Sequence, residues 1–153
     1  MDILINSGAP VSTHQRIFIA AHPARVWAVL TDVSRWAAWQ PDIKQSQLNG
    51  ALQAGTSFDW KSGGVGIHST LHTVAPAREL GWTGTSLGVY AIHNWTLTAM
   101  PGGTEVTVDE SMQGLLARLF AGPFGRGLVK GTRRWLELLK AETERLSVLA
   151  TVV

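Results

Sequence analysis

Between Ile43 and Gln113 the chain trades apolar and polar positions almost residue by residue. Phe58 and Trp60 alternate with Ser57, Asp59 and Lys61, and Leu80 and Trp82 with Gly81 and Thr83. From Tyr90 to Ala99, His93, Trp95 and Leu97 alternate with Asn94, Thr96 and Thr98. Val106, Val108, Glu110 and Met112 share one face, opposite Thr107, Asp109 and Ser111. A period of two marks strands that bury one face. Turn residues at Asn49-Gly50, Ser62-Gly63-Gly64, Pro76-Ala77-Arg78 and Pro101-Gly102-Gly103 divide the span into about six antiparallel strands. One face is apolar with a few polar insertions and the other is rich in Ser and Thr, so the sheet needs a cover on one side.

The flanking segments supply that cover. Val11 to Ala20 reads as a further strand, with Ile17 and Ile19 on one face. His22-Pro23 opens a helix, with proline at its first position and Val26, Leu30 and Val33 at helical spacing. A second short helix is expected with Ser34 as its N-cap, Trp36 and Trp39 three apart, and Pro41 at its end. Leu115, Leu116, Leu119 and Phe120 predict one short helical piece, and Gly122-Pro123-Phe124-Gly125 reads as a break after it. Leu128, Thr132, Trp135, Leu139 and Leu146 then predict a helix from Gly127 to Leu146, about 30 Å long. Its apolar stripe is expected against the concave sheet. The apolar tail from Ser147 to Val153 carries no signal. The pattern as a whole is that of one α+β domain.

Composition sharpens this picture. The 153 residues suit a single domain with a substantial core. Only 16% of them are charged, against about 25% in a typical soluble protein. With seven Trp, the chain must bury much apolar surface or present it to a ligand. A net charge of +2 argues against nucleic acid as a partner, and Lys130-Gly131-Thr132-Arg133-Arg134 reads as one exposed helical turn. The absence of cysteine excludes disulfides, thiolate metal sites and cysteine nucleophiles. The opening Met1-Asp2-Ile3-Leu4-Ile5 lacks the basic leader of a signal peptide, and no apolar run approaches membrane-spanning length, so a cytoplasmic protein is expected. Monomer and homodimer both remain open. No cofactor is expected: Gly63-Gly64-x-Gly66 lacks the strand-to-helix setting of a nucleotide loop, and no nucleophile motif is present.

Two polar residues sit in phase with apolar neighbours. Glu110 follows Val106 and Val108 inward, where a carboxylate can serve as general acid or base or simply pair with an inward Arg or His. His93, in phase with Trp95 and Leu97, can share its proton or act as a hydrogen-bonded structural group. His68 and His72 are four apart, but in a strand that separates them by about 13 Å, too far for one metal ion. Both are expected to face solvent, opposite Ile67, Ser69 and Leu71, and no metal site is expected. The candidate ligand-binding residues are Trp39, Phe58, Trp60, Ile67, Ser69, Leu71, Trp82, Trp95, Val108, Met112, Leu128 and Trp135. Trp36 and Trp39 are expected to anchor the short helices at one end of the sheet. Asp32 is expected to cap or tether a helix end.

The order of these elements resembles the START-like, or SRPBCC, superfamily and within it the polyketide cyclase/dehydrase-type branch. The resemblance covers Val11 to Leu146. It rests on Ala21-His22-Pro23-Ala24-Arg25-Val26-Trp27-Ala28-Val29-Leu30-Thr31-Asp32, Trp36-x-x-Trp39-x-Pro41, Leu80-Gly81-Trp82, His93-Asn94-Trp95-Thr96-Leu97, Gly103-Thr104-Glu105-Val106, and Glu110 with Gly114. It implies a helix-grip fold, with a curved antiparallel sheet of six or seven strands around the C-terminal helix and a cavity between. It also implies ligand entry near Gly122–Gly125. Three functions follow as expectations: binding of a small hydrophobic, lipid-like, aromatic or polyketide-like molecule; cyclase, aromatase or dehydratase chemistry with Glu110 and His93 moving protons; or a protein-interaction, co-chaperone-like role. The fold alone does not choose among them.

Overall fold

The computed structural model describes residues 3–151; Met1 and Asp2, and Val152 and Val153 of the tail, lie outside the described residues. Seven strands form one antiparallel sheet: β1 (Val11–Ile19), β2 (Ile43–Leu48), β3 (Ser57–Ser62), β4 (Val65–Ala75), β5 (Glu79–Ser86), β6 (Val89–Met100) and β7 (Gly103–Gln113). Their order is β1-β7-β6-β5-β4-β3-β2, so the first strand closes onto the last and the rest run as a meander. Between β1 and β2 lie α1 (Pro23–Thr31), a single 3₁₀ turn at Val33–Arg35, and α2 (Trp36–Trp39). After β7 come α3 (Leu115–Leu119) and the long α4 (Ala121–Thr151), which packs on β1 and α1. This is the helix-grip architecture that the family resemblance implies, and it contains the half-apolar sheet and covering helix that the alternation and the C-terminal stripe predict.

The meander holds its phase where it matters for inward-facing side chains. β5 and β6 pair without interruption from Glu79 opposite Thr96 to Ser86 opposite Val89. β6 and β7 do so from Tyr90 opposite Gln113 to Met100 opposite Gly103. The β5–β6 hairpin turns on Leu87 and Gly88 alone, at φ 49° and 75°. Two left-handed residues match the twist of the flanking strands, although a leucine there is strained. The irregularities lie elsewhere, between Lys44 and Gln47 and between Leu71 and Thr73.

Trp36 organises the core. Fully buried, it meets Phe58, Trp60 and Trp135 edge-on with ring centres 5.5, 5.8 and 5.0 Å away. Its Nε1 donates to the Leu30 carbonyl at 2.9 Å, which ties α2 to α1, while its ring contacts hold the pair against the sheet. T-shaped contacts of this kind place ring edges on ring faces and add to the area each indole buries.

Three local expectations are corrected. Gly122-Pro123-Phe124-Gly125 is no break: α4 begins at Ala121 and includes it, because proline is tolerated in a first helical turn where its missing N–H has no partner anyway. The chain bends one step earlier, at Phe120, whose φ and ψ of −117° and 35° end α3. Nor does α4 stop at Leu146; it continues to Thr151, giving 31 residues and a length of about 46 Å. Ser34 caps nothing and sits inside the 3₁₀ turn, while Asp32 joins α1 to that turn through its backbone carbonyl, which accepts from Arg35 N at 2.9 Å. Its carboxylate makes no capping bond, since ψ of 69° turns the chain out of helical geometry there. The side-chain cap in this region belongs to His22, whose Nδ1 accepts from Ala24 N at 3.2 Å.

Candidate functional site

A cavity of about 520 Å³ lies between the concave sheet and the first half of α4. Trp60 comes from β3, Ile67 from β4, Trp82 and Gly84 from β5, Ala91, His93 and Trp95 from β6, and Glu110 and Met112 from β7. α4 contributes Phe124, Gly127, Leu128, Gly131, Thr132 and Trp135. Four indoles therefore form much of the wall, and small residues keep it open. Gly84 and Ala91 face each other across β5 and β6, while Gly127 and Gly131 stand one helical turn apart.

His93 and Glu110 are direct cross-strand partners on β6 and β7. His93 Nδ1 lies 3.1 Å from Glu110 Oε1, and the two side chains are 12% and 7% exposed. The residue opposite His93 on its other side is Trp82, whose ring stacks on the imidazole at 5.1 Å and 19°. The same Trp82 ring stacks on Trp95 at 6.0 Å and 18°. The imidazole is thus held between the Trp82 π-face and the Glu110 carboxylate, which fixes the plane of its ring. The N–H groups of Trp82 and Trp95 and the Thr132 hydroxyl have no hydrogen-bond partner among the described residues.

Of the expected ligand-binding residues, Trp60, Ile67, Trp82, Trp95, Met112, Leu128 and Trp135 line the cavity. Phe58, Leu71 and Val108 do not; they are buried in the core instead. Ser69 is buried and its hydroxyl accepts from Trp60 Nε1 at 3.1 Å. Trp39 packs edge-on against Trp135 at 5.5 Å, outside the cavity lining. All but Trp39 follow the inward phase. The difference is distance along the sheet: α1, α2 and the middle of α4 fill one end, and only positions towards the other end stay open. The lining also includes residues not expected from the sequence: small ones such as Gly84, Ala91, Gly127 and Gly131, together with Val89, Pro123 and Phe124. Glycine and alanine on an inward phase were the available signal for space.

His68 and His72 form no common site. His68 is exposed with Nδ1 2.7 Å from Asp59 Oδ1. That bond, together with one from Asn49 Nδ2, holds the Asp59 carboxyl below its ordinary range. His72 departs from the solvent-facing expectation: it is half-buried over Gly81, whose missing side chain leaves room for the ring. The N-terminal segment covers this face, where Ile3 N donates to His72 Nδ1 at 3.3 Å and Asn94 Nδ2 to the Ile3 carbonyl at 2.9 Å.

Residues 10–144 match the model of a family described as polyketide cyclase/dehydrase and lipid transport. The chain belongs to this family. Solved structures repeat the fold. An aromatase/cyclase from Streptomyces sp. R1128 superposes with a TM-score of 0.76 at 17% identity, over 88% of this chain and 93% of that one. A START superfamily protein from Mycobacterium smegmatis gives 0.76 at 13% identity, over 88% and 98%. A two-domain aromatase/cyclase of the steffimycin biosynthetic pathway gives 0.75 at 16% identity; 90% of this chain aligns with 52% of that one, about one of its domains. At such identities the likeness is one of fold. No curated protein matches the sequence.

Proposed function

We propose that the chain binds a small, largely apolar and partly planar molecule in the cavity between the sheet and α4. The observation that carries this reading is the lining itself: about 520 Å³ of space walled by Trp60, Trp82, Trp95 and Trp135, with a single His–Glu pair in the wall. A volume in this range suits one small ligand, and an apolar wall with few fixed polar groups is the usual form of such sites. Membership of a cyclase/dehydrase and lipid-transport family agrees with an apolar, polyketide-like or lipid-like ligand. Titration with fatty acids and polycyclic phenols, followed by Trp fluorescence, tests the reading. Saturable quenching supports it, and an unchanged spectrum across the panel contradicts it.

A second reading, cyclase, aromatase or dehydratase chemistry, is favoured by the His93–Glu110 contact. With Nδ1 turned to the carboxylate, Nε2 is the nitrogen left to take a proton from a ligand carbon or give one to a departing hydroxyl, which leaves as water. Glu110 then keeps the ring oriented and balances its charge. Glu110→Gln and His93→Gln separate the readings. Under the enzyme reading both retain ligand while turnover falls by about 10²–10⁴-fold. Under the binding reading there is no turnover to lose, and affinity changes by about tenfold at most.

A further inference from the structure

The open end of the cavity groups several exposed apolar side chains. α3 is short and inverted: it buries Ala117 and turns Leu115 and Leu119 to solvent, at 70% and 65% exposure, with Phe120 beside them at 51%. Leu87 stands at the tip of the β5–β6 hairpin, 74% exposed, and Val65 is exposed at the start of β4. Strand register brings these together. Tyr90 lies opposite Gln113, just before α3; His68 lies opposite Thr85, just before Leu87; and Gly114 lies against the Gly88 backbone. The cavity opens at this same end, where Ser62, Ser86, Val89 and Pro123 line it.

The charge around this opening has one sign. Residues 61–66, 85–90 and 113–127 build the rim; they contain Lys61, Arg118 and Arg126 and no Asp or Glu. Lys130 continues the series along α4, in a groove shared with Arg126, Arg133 and Arg134, whose one carboxylate among the described residues, Glu137, is paired with Arg133. Neither Arg118, Arg126 nor Lys130 has an ion-pair partner among the described residues. Exposed leucine and phenylalanine grouped in one patch call for a partner. Unpaired cations around that patch call for an anionic one. The interface of an anionic bilayer meets both demands, with the apolar side chains entering the headgroup–acyl boundary and the cations meeting phosphates. It also meets a third: the patch encircles the mouth, so docking would let an apolar ligand pass between bilayer and cavity without crossing water.

We propose that this end of the molecule docks on anionic membrane surfaces through α3 and the Leu87 hairpin, with the cavity mouth facing the lipid. The role of the mouth rests on the reading of the cavity as an apolar ligand site; the docking does not. Flotation of the full chain with phosphatidylcholine vesicles, with and without phosphatidylserine, tests it. Wild-type protein floats with the anionic vesicles, about tenfold or more better than with neutral ones, and less at raised salt. The double variant Leu119→Glu/Phe120→Glu and the variant Arg118→Glu/Arg126→Glu each lose about tenfold or more, with circular dichroism unchanged because all four side chains are exposed. Absence of flotation with anionic vesicles overturns the proposal, as does flotation indifferent to Leu119→Glu/Phe120→Glu. A wild-type dimer that this double variant makes monomeric, with no flotation, also overturns it by assigning the patch to a second copy. Ligand uptake measured in solution keeps the two readings apart. Uptake without flotation rejects docking alone, and flotation without uptake rejects the cavity reading alone.

Discussion

Among the described residues Glu110 is the one carboxylate on the cavity wall, and His93 is the group that faces it across 3.1 Å. A buried carboxylate without a donor is costly, whereas a neutral amide of the same shape is tolerated. His93→Leu is therefore expected to destabilise the fold by about 1–3 kcal/mol in urea unfolding, because the buried Glu110 carboxyl loses its partner. Glu110→Gln is expected to cost about 1 kcal/mol or less, and His93→Leu/Glu110→Leu to recover much of the single loss. Trp36→Ala is a different case: it empties the hub of the aromatic cluster and is expected to cost about 3–5 kcal/mol. The inward direction of both His93 and Glu110 was legible in the sequence, since the β5–β6–β7 register is unbroken and alternation holds from end to end. Their contact was not legible. Which residue faces which across two strands depends on where the turn at Pro101-Gly102 sets the register.

At the scale of elements, α4 is where composition misled. Gly122, Gly125, Gly127 and Gly131 lie in its first eleven residues, 121–131, and Pro123 among them suggested a break. Local propensity lost to packing, because Phe124, Leu128, Thr132 and Trp135 need a continuous helix to reach the sheet. The same glycines leave room. A Cβ at Gly125, Gly127 or Gly131 would meet nothing within 4 Å. Gly125→Ala, away from the cavity lining, is expected to raise stability by about 0.5–1 kcal/mol in thermal unfolding without altering ligand affinity. Gly131→Ala is expected to bring a similar gain together with weaker binding, because its methyl enters the lining.

Further along the helix, Glu144 accepts from Lys140 Nζ and from the backbone N–H of Ala20, tying α4 to the end of β1. These bonds, Lys140 first, hold its carboxyl below the ordinary range. A depressed folded pKa contributes stability that is present above the unfolded value of about 4.3 and is lost as pH falls through the folded value. Melting temperature should therefore drop as pH falls from about 5 to about 3, and Glu144→Gln should make that drop shallower. An equal slope in the variant would remove Glu144 from the account. Its partial exposure to solvent keeps the effect small.

Across the whole molecule, one end of the sheet is filled and the other is open. Trp36, α1, α2 and the middle of α4 pack the first end, and the hairpins at Gly63-Gly64 and Leu87-Gly88 frame the second. The period-two and helical patterns carried enough information for the architecture, because a half-apolar sheet and an amphipathic helix have few ways to bury both faces. They did not carry enough to divide the inward residues between core and cavity. Phe58 and Trp60 are two apart on one strand with the same phase and both belong to the buried core, yet only Trp60 also lines the cavity. That division depends on how far along the sheet the short helices reach, which is a matter of tertiary packing rather than of any local pattern. The central claim is that the space bounded by Trp60, Trp82, Trp95 and Trp135 holds a small apolar molecule. Native mass spectrometry tests it most directly, on freshly purified wild-type chain and on Gly131→Phe, whose ring is meant to occupy the space. The account predicts a protein–ligand adduct, co-purified or restored by an apolar panel, in the wild type, and its loss in a folded Gly131→Phe. An adduct undiminished in that variant, or none in the wild type under any panel member, would contradict it.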